Sequence, residues 1–313
     1  MTMPNHPLSG RVPMLIAATA CWGIGTVLTK QVLDDVSPLT LLPIQLAASC
    51  LLLAAATVLT RLTRNSAHRT PGSLGWSPQM TRLAALGVLN PGLAYALGLV
   101  GLASITASMS VLLWAAEPVL IMLLAAALLS EHIPTALAAA LGIAVVGVLL
   151  VVYSPGATGD ALGIALTIGA VSCCALYSVL TRRLLLDDAA LSVVLVQQLA
   201  ALAFAIVLAA VVELTRGTGW QPGGLSWTTW AAAAGSGVLY YGLAFWFYLA
   251  ALRQLPASVA GAFLPLIPVF GVAAGFLVGE RLLGRQWLGA ALVLGAILVV
   301  ATRQTTRTSQ PVA

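Results

Sequence analysis

Ten apolar stretches follow one another along this chain, each close to twenty residues long. They run approximately 12–32, 38–60, 82–101, 104–129, 135–153, 160–181, 191–213, 229–252, 257–279 and 286–302. A helix needs about 20 apolar residues to cross the hydrocarbon core of a bilayer. Inside that core every backbone N–H and C=O must find a partner within the chain, which an α-helix supplies. The pattern predicts an all-α integral membrane protein of ten transmembrane helices. Composition agrees. Hydrophobic residues make up 60% of the chain and charged residues 7%, with a mean hydropathy of +1.02. A soluble domain carries about 25% charged residues. The lipid bilayer is therefore the first partner expected.

The net charge of +5 rests on only 14 Lys and Arg without a dense basic run, so no nucleic-acid partner is expected. Those charges set orientation instead. With the N-terminus in the cytoplasm, ten basic residues fall on that side: Arg11, Arg61, Arg64, Arg69, Arg82, Arg182, Arg183, Arg253, Arg303 and Arg307. Four fall opposite: Lys30, Arg216, Arg281 and Arg285. The asymmetry follows the positive-inside rule and predicts both termini in the cytoplasm. Trp76, Trp220, Trp227, Trp230 and Trp287 fall at predicted helix ends, where indole rings anchor at the interface. Arg11, the apolar run after it and Ala18-Thr19-Ala20 have the outline of a cleaved signal. The first segment has a counterpart later in the chain, so it is expected to be retained.

That counterpart belongs to an internal repeat. Val27-Leu28-Thr29-Lys30 returns as Val179-Leu180-Thr181-Arg182, and Cys21, Asp35 and Gln45 match Cys173, Asp187 and Gln197, all at an offset of 152. Gly87-Val88-Leu89 and Gly92-Leu93-Ala94 return as Gly237-Val238-Leu239 and Gly242-Leu243-Ala244 at 150, as does Ala107-Ser108 at Ala257-Ser258. Glu131 matches Glu280 at 149. A nearly constant offset marks duplication. The expected units are 11–153 and 160–302. Five spans is an odd number, so the second unit enters the bilayer from the opposite face. Two inverted five-helix repeats are a construction of secondary transporters, with the substrate site where the halves meet.

Several segments resemble the drug/metabolite transporter superfamily, in particular the EamA family of bacterial inner-membrane carriers. The resemblance rests on Trp22-Gly23 in the first helix, on Glu117-Pro118 with Glu131 around the fourth, and on Pro265, Pro268 and Gly279-Glu280-Arg281 in the ninth. It covers about 11–302. It implies a bacterial inner-membrane location, a central cavity between the halves, and export of amino acids, drugs or other metabolites by alternating access. One departure is plain. The ninth helix has two prolines and no acid matching Glu117, so the two halves are not expected to bind alike.

Glu117 is expected near the middle of the fourth helix. Charge at that depth costs roughly 2.5–3.5 kcal/mol on insertion scales, so it should face a cavity or a partner. It can bind a proton, and so serve coupling, or pair with a substrate ammonium group. Equally it can be a protonated structural residue bonded to a neighbouring helix. Trp22, Asn90, Tyr95, Trp114, Glu117, Tyr177, Tyr241, Phe245 and Tyr248 are the candidates for contact with a small-molecule substrate. Tyr241, Phe245 and Tyr248 share one face of an ideal helix and suggest an aromatic wall for an amphipathic or cationic solute. Core packing is the competing role for each. Gln45 and Gln197 suggest interhelical hydrogen bonds. Pro91, Pro118, Pro265 and Pro268 can kink their helices, and Gly271, Gly275 and Gly279 allow close helix approach. These seven are the hinge and packing candidates.

Two readings compete with transport. A membrane-embedded enzyme needs a catalytic set, yet His6, His68 and His132 all fall in loops or tails, and no HExxH or Walker A motif occurs. No catalytic residue is assigned. Cys21, Cys50, Cys173 and Cys174 form no CxxC pair, so neither a metal nor another cofactor is expected. A non-transporting scaffold leaves the polar and proline positions within spans unexplained. Substrate identity and direction are left open by the residues themselves, and a homodimer is among the states the sequence allows.

Overall fold

The computed structural model describes residues 12–63, 78–129, 160–181, 190–217, 224–252, 263–264 and 266–308, with 139, 142, 143, 145–147, 149 and 150. The chain forms α1 (Val12–Val32), α2 (Pro38–Thr63), α3 (Pro78–Gly87), a π-type turn (Val88–Leu93) kinked at Asn90, whose backbone is extended with φ −146° and ψ 119°, α4 (Ala94–Ser104), α5 (Ala107–Trp114) and α6 (Glu117–Leu129). After residue 160 come α7 (Ala161–Thr181), α8 (Ala190–Arg216), α9 (Trp227–Gly237), a second π turn (Val238–Leu243), α10 (Ala244–Leu252), α11 (Leu266–Leu277) and α12 (Gly284–Thr308). Pro38 and Pro78 open their helices, where a missing N–H costs nothing. Thr106 and Ser226 cap α5 and α9, each accepting from the backbone N–H three residues on.

Among the described residues, five helical stretches are long and apolar enough to cross a membrane: Val12–Val32, Pro38–Leu59, Pro78–Ser104, Ala161–Leu180 and Val193–Thr215. Leu266–Leu277 is a shorter apolar helix. Of the expected fifth span, the described residues are helical. Glu131, Ala257, Ser258 and Pro265 lie outside the described residues.

The expected fourth span, 104–129, is two helices rather than one. α5 stops at Trp114, and Ala115–Ala116 form a turn. The cause is Pro118, which cannot donate to a carbonyl one turn back. In the first turn of α6 that missing donor is harmless. Glu117 therefore opens a half-helix instead of standing inside a continuous one. Pro268 sits likewise in the first turn of α11.

The two repeated segments pack reciprocally. A Cβ on Gly87 of α3 would lie 2.4 Å from Gln197 O of α8, and one on Gly237 of α9 would lie 2.4 Å from Gln45 Cα of α2. Gly92 meets Phe204, and Gly242 meets Leu52. Only glycine allows helix backbones this close. Each contact joins a helix of one repeat to a helix of the other. A core of Leu42, Leu46, Tyr95, Leu99, Ala201, Ala205 and Tyr241 fills the junction.

Candidate functional site

A cavity opens between the two sets of helices. α1 contributes Thr26 and Thr29, α4 Tyr95, Gly98, Leu99 and Leu102, α5 Ser110 and Trp114, and the second π turn Tyr240 and Tyr241. It holds about 330 Å³ of non-atom space, its mouth included. Tyr95 stacks on Trp114 with ring centroids 5.6 Å apart. Tyr240 and Tyr241 meet Tyr95 edge-on at 5.7 and 4.9 Å. These geometries suit the ring quadrupoles and fix the four side chains against one another. The walls are aromatic, with hydroxyl groups from Thr26, Thr29 and Ser110 between them.

Glu117 stands at the break between α5 and α6, half-buried. Its Oε1 accepts from Cys174 Sγ at 3.1 Å and Ser178 Oγ at 3.5 Å, both on α7. No ion pair to it occurs among the described residues. It is within electrostatic range of Tyr95, Tyr240 and Tyr248.

The other candidates separate into groups. Tyr241 does not share a wall with Phe245 and Tyr248. Those two pack on Trp22, with centroids at 5.2 and 5.5 Å, whereas Tyr241 joins Tyr95. The six-residue π turn immediately ahead of α10 breaks the 3.6-residue period on which a common face depends. Trp22 is buried there with Ala18 and Ala244. Its neighbour Gly23 explains the small residue after it, since a Cβ would stand 2.6 Å from Gly271 N and Ile267 O of α11. Asn90 is buried with no partner for its Oδ1 among the described residues, and a cis peptide joins it to Pro91. Tyr177 donates to Gln197 Oε1 at 2.8 Å.

Gln45 and Gln197 do not bond to each other. Gln45 Nε2 donates to Thr29 Oγ1 at 3.0 Å and Ser236 Oγ at 2.8 Å. Gln198, not singled out from the sequence, accepts from Ser49 Oγ and donates to Tyr241 O at 3.0 Å. Of the three candidate glycines in α11 and just beyond its end, Gly271 meets Val111 and Gly275 meets Ser108. A Cβ on Gly279 would meet nothing within 4 Å among the described residues, and its φ is +98°, so it ends the helix rather than joining two.

Thr26, Thr29 and Ser110 of the lining are not among the residues the sequence singles out. The signal was present for two of them: Trp22, Thr26 and Thr29 recur at helical spacing on one face of α1. Threonine hydroxyls that can bond back to their own helix draw little notice in an apolar run, and Thr26 does donate to Trp22 O at 3.0 Å.

A comparison with curated proteins finds no match. A solved crystal structure of a protein 20% identical in sequence has the same fold, with a TM-score of 0.62 over 94% of this chain and 99% of that chain. The EamA-like transporter family matches twice, over residues 11–153 and 161–302. Those two stretches leave little of the chain outside them, and the chain belongs to the EamA-like transporter family.

Proposed function

We propose that this chain is a secondary transporter of ten spans in two inverted five-helix repeats, 11–153 and 160–302. It carries a small amine-bearing organic solute out of a bacterial cell by alternating access, both termini being cytoplasmic. The observation that carries the reading is the cavity, walled by Thr26, Tyr95 and Trp114 from one repeat and by Tyr240 and Tyr241 from the other. A site where inverted halves meet is the place at which rocking of one half exposes a solute to either face. Aromatic faces attract a cationic head. Glu117 beside them supplies a carboxylate with no ion pair among the described residues, and a carboxylate inside a membrane protein calls for an occasional positive partner. In this reading the solute's ammonium group and a proton take turns at Glu117, which couples export to the proton gradient.

The test is flux in liposomes. Amino acids and the cation tetraphenylphosphonium are screened with and without a pH gradient, for the parent and for Glu117→Gln. The variant keeps the shape and removes the charge. Flux is expected to fall about a hundredfold, the range for loss of a bond to a charged group, and its pH dependence to flatten. Parent-like flux in the variant across pH would sink the role of Glu117. Lost flux with unchanged pH dependence would leave substrate binding and remove proton coupling.

A further inference from the structure

The end of α11 makes a joint that solute binding does not use. Glu280 N–H donates to Gly275 O at 2.9 Å and Gly279 N–H to Phe276 O at 3.2 Å. With Gly279 left-handed, this is a Schellman ending, which fixes where the next residue points. Arg281 closes the same end. Its Nη1 donates to Phe276 O at 2.8 Å and to Glu280 O at 2.9 Å, and its guanidinium lies 3.9 Å over the Phe276 ring. Held in this way, the Glu280 carboxylate reaches the start of α5 in the other repeat. It accepts from Ala107 N–H at 2.7 Å, from Ser108 N–H at 2.8 Å, and from Ser108 Oγ. The free N–H groups and positive end of a helix suit a carboxylate. A side chain at Gly275 would fill the space, its Cβ falling 2.5 Å from Ser108 Oγ and 2.6 Å from Glu280 Oε2.

The other flank of the same turn is held by the opposite charge. Lys30, at the end of α1, donates to Ala103 O at 2.8 Å in the last turn of α4, where a cation suits the carbonyl end. The turn 104–106 is thus gripped from both sides. Beside it Val27, Leu102 and Ala107 form a buried apolar layer with Ala274 of α11. Thr29, Leu102 and Ser110, at the same level, line the cavity. Lys30, Ala103 and Ala107–Ser108 each lie one to three residues nearer their helix end than the lining residues Thr29, Leu102 and Ser110 on the same helices.

We propose that Glu280 is the latch of a gate at the 104–106 end of the cavity, with Lys30 as the second hold on the same turn. The gate opens when the carboxylate releases Ala107 and Ser108, letting α5 and α11 part. The proposal rests on the cavity being the solute path. Because all three bonds end on one carboxylate, they are lost together, which gives a gate with two states instead of a gradual loosening.

Thiol accessibility tests this without any solute. Latch and transport can therefore fail separately: absent flux leaves the latch measurable, and a failed latch leaves the transport reading standing. In the full chain Cys21, Cys50, Cys173 and Cys174 are replaced by alanine and Ser110→Cys serves as the reporter. An impermeant methanethiosulfonate reagent is applied to intact cells and to inverted vesicles. Glu280→Gln is expected to raise the modification rate about tenfold or more, from the face bearing the 104–106 turn only. Ser108→Ala and Lys30→Gln each remove one hold and are expected to raise it about threefold. If Glu280→Gln fails to fold, these two decide the matter. Rates within about twofold of the parent in every folded variant overturn the latch. An equal rise at a Leu53→Cys reporter, buried away from the cavity, would show general loosening and overturn it too.

Discussion

The two π-type turns occupy the same place in the two repeats, but the first is kinked at an extended Asn90 and the second carries no such break. Val88–Leu93 contains Asn90 and Pro91, whereas Val238–Leu243 has Tyr240 and Tyr241 at the same offset of 150. Proline, which removes a helical hydrogen bond, suffices as a local cause in the first. It cannot explain the second, which has none. What the two share is packing: Gly87 against Gln197 and Gly92 against Phe204 in one, Gly237 against Gln45 and Gly242 against Leu52 in the other. The comparison teaches that the irregular turn accompanies the crossing of helices from opposite repeats. The residues within it are then free to differ. One turn buries an amide, and the other delivers two phenol rings to the cavity.

The comparison breaks hardest at the shared glycines. Gly87→Ala and Gly237→Ala both drive a methyl into backbone at 2.4 Å, where no rotamer change gives relief. Each is expected to cost about 3 kcal/mol, the upper range for overpacking, read as a fall in thermal unfolding temperature in detergent. Gly235→Ala, with nothing within 4 Å, is the control and should be neutral or slightly stabilising. If only one of the two crossing glycines proves intolerant, the reciprocal joint is not shared equally.

The positions that differ should separate next. Tyr241→Leu keeps most of the volume and loses ring contacts at 4.9 Å with both Tyr95 and Tyr240. Two aromatic pairs lost correspond to about 2 kcal/mol. Asn90→Ala, at the position matching Tyr240, removes an oxygen that makes no bond among the described residues, and should cost about 0.5 kcal/mol or less. Thermal unfolding of both variants reads the contrast. Equal costs would mean that the first turn depends on its own residues after all.

Much of this was legible in advance, and what was not has physical reasons. The apolar runs and the offset near 150 revealed the helices and the repeat, because hydrophobic length and self-similarity are properties of the chain itself. Glu117, Tyr95, Trp114 and Tyr241 stood out because polar or aromatic groups in an apolar run are conspicuous. The separation of Tyr241 from Phe245 and Tyr248 was hidden, since a π turn without proline leaves no local mark and every residue after it changes face. The break ahead of Glu117 was half legible: Pro118 marked a disturbance, but only the structure shows that it opens a new helix. Ala107-Ser108 and Glu280 are both visible in the sequence as repeat matches. Their contact is not visible there, because a repeat match identifies equivalence and gives no distance.

The smallest effect sharpens the comparison most, because it isolates hydrogen bonding from shape. Gln45 and Gln197 stand under the crossing glycines in the two repeats, but their bonds are unequal. Gln45 Nε2 donates twice, to Thr29 and to Ser236, and the second of these bonds crosses between repeats. Gln197 accepts once, from Tyr177 of its own repeat, and its Nε2 has no partner among the described residues. Interhelical hydrogen bonds in membrane proteins average about 0.6 kcal/mol. Gln45→Leu should therefore cost about 1.2 kcal/mol and Gln197→Leu about 0.6 kcal/mol. A double-mutant cycle of Gln45→Leu with Ser236→Ala should return a coupling of about 0.6 kcal/mol. Leucine matches glutamine in bulk, so the difference between the two variants reads the bonds and not the crossing. A coupling of zero, with both leucine variants equally stable, would mean that the polar belt contributes nothing to the joint and that the glycine contacts alone hold the repeats in register.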